Sequence, residues 1–195
     1  MRRLAFAVLP LTLFLAACTG GGATSATGPA PPVQPRTLAY RAGPSFLHLT
    51  FEYPASWTAR HYNDQSSMST AIVFLSDQRM TSPCQDGGCS LPLRHLNRGA
   101  VLVWWTEWGF PDWSFDKDAK GQPFTVGGRR ARLLIGPGCH QIGGEVSMKA
   151  VVERPQAPDN WYELDACIRG PGVDQAEAQV RALLASTRFG SSSSS

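Results

Sequence analysis

The sequence predicts an α+β fold: a single domain on a mostly antiparallel β-sheet of about six or seven strands, with a C-terminal helix packed on it. Three observations carry this. Short apolar or alternating segments recur from Phe46 to Ile168, with turn residues between them. Ala100 to Thr106 (AVLVWWT) is apolar on both alternating faces, as in a central strand covered on both sides. Val173, Ala176, Val180, Leu183 and Leu184 then repeat at helical spacing, after the last strand-like segment.

The chain opens on the basic Met1-Arg2-Arg3 and continues with an apolar run from Leu4 to Ala17. That run is shorter than the roughly 20 residues a bilayer span needs. A charged start, a short apolar core and small residues at its end are the pattern of a secretory signal. Its last residues, Leu15-Ala16-Ala17-Cys18, resemble the lipobox of bacterial lipoproteins. The resemblance implies that Cys18 is alkylated with diacylglycerol and becomes the N-terminus after cleavage. It also implies a chain held by lipid on the extracytoplasmic face of the cell membrane. One acyl chain holds a protein marginally and two or more hold it firmly. Residues 19–36 are mostly Gly, Ala, Ser, Thr and Pro, which cannot bury a core and read as a flexible tether. The expected organisation is a signal peptide over 1–17, the lipidated Cys18 and tether over 18–36, a globular domain over 37–189 and a disordered serine tail over 190–195. The domain is of about 150 residues, enough to bury a core without a metal.

Within the domain, Phe46 to Tyr53 reads as a strand, Pro54-Ala55-Ser56 as a turn and Trp57 to Tyr62 as a second strand. Ala71 to Leu75 is a short apolar strand, and 77–98 is a loop. The central strand follows, and then a polar, turn-rich stretch over 109–123. Val126-Gly127-Gly128 leads into a strand from Arg129 to Ile135. Glu145 to Glu153 and Trp161 to Ile168 are strands joined by a loop over 155–160. Gly170-Pro171-Gly172 ends the sheet, and Asp174 is placed to cap a helix running to about Thr187.

There are 5 cysteines. Assigning Cys18 to lipid leaves an even number, which in an exported chain reads as two disulfides with three possible pairings. Cys84 and Cys89 flank the turn sequence Gln85-Asp86-Gly87-Gly88, so a local staple is easy. That leaves Cys139 with Cys167. If the last three strands form an antiparallel meander, the end of the third lies beside the loop holding Cys139. Closing that loop of about 28 residues stabilises by roughly 3 kcal/mol. The alternative, a zinc site, lacks a second matching cysteine pair.

Phe51-Glu52-Tyr53-Pro54-Ala55-Ser56-Trp57 and Val126-Gly127-Gly128-Arg129-Arg130-Ala131 resemble the "Tyr-Pro-x-x-Trp" opening and "V-x-G-x-x-A" strand entry of PsbP-like domains. The closing amphipathic helix agrees, and the likeness spans roughly 38–189. The cysteine-bearing second half is similar to actinobacterial lipoproteins. The resemblance implies an antiparallel sheet with helices against it, in a family whose members serve mostly as binding or assembly modules.

Motifs for catalysis are weak. Ser114-Phe115-Asp116-Lys117 matches S-x-x-K but has no later K-T-G. The stretch from Asp116 to Gly121 resembles half an EF-hand loop, but Lys120 repels calcium and Gly127 stands where the bidentate glutamate is needed. His48, His61, His95 and His140 are scattered. No catalytic residue, cofactor or metal is expected. The formal net charge is +3 with no basic stripe, which argues against nucleic acid as a partner. The unusual stretch is Trp104 to Trp113. Trp104 and Trp105 are expected to fill the two layers of the central strand. Trp108 and Trp113 are expected in the loop after it, as an aromatic contact surface, with Glu107 and Asp112 hydrogen-bonding hydroxyls. The expected function is non-catalytic binding of an envelope glycan, lipid or partner protein. The alternatives are an assembly subunit without a small ligand and an envelope hydrolase.

Overall fold

The computed structural model describes residues 34–40, 49–65, 68–81, 84–85, 88–89 and 91–190. The predicted signal peptide, Cys18, most of the tether and the tail over 191–195 lie outside the described residues, as do the side chains of Cys84 and Cys89. The described chain opens with β1 (Pro35–Tyr40), β2 (Leu49–Pro54), β3 (Thr58–Gln65) and β4 (Ser69–Ser76). Next come the two-residue strands β5 (Cys84–Gln85) and β6 (Gly88–Cys89), which pair with Cys84 opposite Cys89. Then follow β7 (Val101–Gly109), α1 (Phe115–Asp118), β8 (Gln122–Val126), β9 (Arg129–Pro137), β10 (Val146–Glu153) and β11 (Asn160–Ile168). The chain closes with α2 (Val173–Ser186) and β12 (Arg188–Phe189).

The architecture is the predicted one. A seven-stranded sheet runs in the order β3-β4-β7-β11-β10-β9-β8, with every neighbouring pair antiparallel. A small antiparallel sheet, β1-β2-β12, lies with α2 against one of its faces. The last three long strands form the expected meander.

β7 sits between β4 and β11, and its side chains alternate between two cores, as period-two geometry requires. Val101, Val103 and Trp105 join a core completed by Leu49 and Phe51 of β2 and by Val180, Leu183 and Leu184 of α2. Leu102 and Trp104 face the second core, which Met80, Leu93 and Leu96 cover from the long loop. Trp104 and Trp105 thus fill two layers. Each fully buried Leu or Val side chain contributes about 1.5–3 kcal/mol. The loop is anchored where the Asp77 carboxylate accepts the Val101 N–H at 3.0 Å and the Ser76 hydroxyl donates to the Val101 carbonyl at 2.7 Å.

Some boundaries differ from expectation, each for a physical reason. β1 takes up the end of the predicted tether by pairing with β2 from Pro35 onward. β8 lies in part of the stretch read as turn-rich; it is an edge strand of largely exposed residues, so its alternation is faint. β7 runs on to Gly109 because β11 continues to pair with it, which puts Trp108 on a strand and not in a loop. The helix begins after Gly172, which has φ of +93° and no side-chain cap; Asp174 lies in the first turn, where it meets the helix dipole without capping.

Cys139 and Cys167 form a disulfide with Cα atoms 5.7 Å apart. It joins the loop after β9 to the end of β11 and packs into the second core. Beside it the chain is tight: a Cβ on Gly138 would lie 2.3 Å from the Gly144 carbonyl oxygen. The bridge spans a sequence separation of 28. Replacing both Cys139 and Cys167 with Ala is expected to lower the unfolding free energy by about 3 kcal/mol, read from denaturant unfolding with a steeper slope, because the unbridged unfolded chain exposes more surface.

Candidate functional site

The second face of the large sheet is covered by the long loop at one end and carries aromatic side chains at the other. Trp108 of β7 and Trp161 of β11 are register partners, so their indoles stand side by side, 6.1 Å apart and within 13° of parallel. Trp113 stacks on Trp161 at 4.2 Å and 18°. It is held there by α1: the buried Phe115 meets Trp113 edge-on at 6.5 Å. Above Phe115 the Arg130 guanidinium lies 4.8 Å from the ring and pairs with Asp116 and Glu153. All three tryptophans are half-buried.

Two carboxylates lie on the same face. The Trp161 indole N–H donates to Glu163 at 3.4 Å. Lys149 of β10 donates to Glu163 at 2.6 Å and lies 3.3 Å from Asp165. Asp165 is opposite Trp104 on β7 and Lys149 on β10. Burial first, and then the Glu163 charge, push the Asp165 carboxyl up to about 7, with Lys149 pulling the other way. Burial works against the Lys149 charge, but Asp165 and Glu163 outweigh it and raise its pKa. Indole rings next to hydrogen-bond acceptors suit a sugar, whose ring stacks while its hydroxyls donate. Both carboxylates contact the one Lys149 ammonium.

The structure joins Trp108 and Trp113, but only through Trp161, which the sequence reading missed. The predicted grouping of Glu107 with them is corrected. Consecutive strand residues point to opposite faces. Glu107, 8% exposed, therefore lies on the first face and pairs with Arg154. Burial raises its pKa and Arg154 opposes that rise. Asp112 is exposed in the turn before Trp113, with φ of +66°. The acceptor beside the indoles is Glu163, two residues along β11 from Trp161; Asp165 lies two residues further, opposite Trp104.

Among the described residues no cluster of three or more His, Cys, Asp or Glu side chains is placed to hold a metal. No described helix is long and apolar enough to cross a membrane. A groove of about 500 Å³ runs between β2 and α2, and among the described residues that line it Glu52 is the one that carries a charge. No protein-family model matches the chain, and no curated protein matches it significantly.

Asp165 carries a pH signature. From the ordinary carboxyl value of 3.8 up to about 7, the folded chain holds a proton that the unfolded chain has released. Stability therefore falls as pH rises through this window and levels off above it. Thermal melts from pH 4 to 8 are expected to show that fall. Asp165→Asn is expected to flatten it and to gain roughly 1 kcal/mol, a few degrees in Tm, at pH 8.

Proposed function

We propose that this chain is a lipid-anchored, extracytoplasmic, non-catalytic binding module that takes an envelope glycan on its tryptophan platform. The observation that carries the reading is the half-buried stack of Trp108, Trp161 and Trp113 beside Glu163. Such a surface offers apolar ring area with a carboxylate acceptor next to it. The lipobox-like ending at Cys18 supports the address, and the Cys139–Cys167 disulfide accords with an oxidising compartment. The PsbP-like resemblance, in a family of mostly binding or assembly modules, is consistent with the role. A second reading, an assembly subunit recruited by protein contacts, is favoured by Phe110, which is 51% exposed on the turn beside the platform.

Titration of the purified chain with cell-wall oligosaccharides, followed by tryptophan fluorescence and thermal midpoint, tests the binding. A ligand that binds only the folded state raises the midpoint with concentration. A glycan is expected to do so, with Trp113→Ala weakening it about tenfold, the loss of a well-packed aromatic contact. No response to any glycan would shift the reading to assembly. Separately, Cys18→Ala is expected to move the chain from the membrane fraction to the soluble fraction and to abolish labelling by radioactive palmitate.

A further inference from the structure

On the other face of the sheet, at the same end as the platform, a second group of side chains comes together. Glu107 and Tyr162 are register partners there. Arg154 follows β10 directly and Arg129 opens β9, each two residues from the paired Val152 and Ala131. Contacts link the group. Arg154 pairs with Glu107 and lies 5.1 Å from the centre of the Tyr162 ring. Tyr162 stacks on Phe189 at 5.2 Å, Arg129 lies 4.3 Å from the centre of the Phe189 ring, and Trp105 meets Phe189 edge-on at 6.5 Å.

Four buried polar atoms of this cluster have no protein hydrogen-bond partner: Trp105 Nε1, Arg129 Nη1, Arg154 Nε and the Tyr162 hydroxyl. Trp105 is 0% exposed and Tyr162 2%. A buried donor left unpaired costs about 1–3 kcal/mol, and more when charged. Four such atoms on one face of a sheet, around the single Phe189 ring, are costly unless acceptors from outside the protein reach them. The charges do not balance either: two guanidiniums face the single carboxylate of Glu107, and Arg129 has no acidic partner among the described residues. Burial works against the Arg129 charge and lowers its pKa.

All four atoms donate, and only the phenol can also accept. A cation does not fit. A neutral polyol leaves the surplus charge uncompensated. A carboxylate brings one negative charge and about four lone-pair sites on two oxygens, matching both the charge and the donor set. The rings of Trp105, Tyr162 and Phe189 beside the donors suit an apolar substituent better than a mineral anion.

We propose that Trp105, Arg129, Arg154 and Tyr162 form a binding site for one organic carboxylate bearing an apolar substituent. The site is independent of the tryptophan platform and lies across the sheet from it. Phe189 covers it. The ring can settle there because Gly127, at φ of +56°, has no Cβ; one would lie 2.7 Å from the ring. Phe189 is partly exposed and belongs to a strand of two residues, so entry runs past it.

Calorimetric titration of the full chain tests the site, with octanoate and benzoate as probes and inorganic phosphate and benzyl alcohol as comparisons. Octanoate or benzoate is expected to bind and raise the thermal midpoint, while phosphate and benzyl alcohol do neither. Tyr162→Phe is expected to weaken binding tenfold or more, Arg129→Gln to abolish it, and Trp113→Ala to leave it unchanged. Should Arg129→Gln fail to fold, Tyr162→Phe decides, because the hydroxyl it removes has no protein partner. The proposal is overturned if neither carboxylate binds a chain that melts cooperatively, which would leave water to satisfy the donors. It is overturned equally if phosphate binds more tightly, or if carboxylate binding survives Tyr162→Phe.

Discussion

The pairing of β7 with β11 is the constraint on which both faces of the sheet depend. Its register sets Leu102 against Cys167, Trp104 against Asp165 and Trp108 against Trp161 on one face. On the other it sets Trp105 against Leu164 and Glu107 against Tyr162. A slip of one residue would send each of these side chains to the opposite face. The Trp108–Trp161 pair, the place of Cys167 in the second core and the Glu107–Tyr162 pair are therefore consequences of one hydrogen-bonded ladder.

The two faces end in opposite electrostatic character. On the half-open face, Glu163 and Asp165 outnumber Lys149, and the surplus is absorbed by raising the Asp165 pKa. On the closed face, Arg129 and Arg154 outnumber Glu107, and guanidiniums give up protons far less readily than a carboxyl takes one up. Proton uptake can relieve the first imbalance. The second calls for a counter-charge from outside the cluster.

Much of this was legible in the sequence, because the signals were strong and local. AVLVWWT announces a strand buried on both sides, and β7 is one. The Cys139–Cys167 bridge was legible because Cys84 and Cys89 flank a turn, which leaves the other two, and because an antiparallel meander of the last three strands brings those two together. What was hidden depends on register between distant segments. Trp161 is 53 positions from Trp108 by numbering yet stacks on it, and nothing near either residue announces the pairing. Glu107 was grouped with its chain neighbour Trp108, when period two separates such neighbours. The alternation Trp161, Glu163, Asp165 was the available signal for the acidic side of the platform. β1 and β8 were obscured because edge strands carry polar residues that look like linker or turn.

The small sheet has a mechanical consequence. β1 and β12 flank β2, so the first and last described strands are held in a unit hydrogen-bonded separately from the seven-stranded sheet. Tension applied at Pro35 loads the β1–β2 ladder first, as peeling or shear. The ladders that hold Trp108 beside Trp161, and Glu107 beside Tyr162, lie outside that line of force. Load on the N-terminal strand thus reaches β2 and its β12 partner, with Phe189, before it reaches the ladders of the seven-stranded sheet.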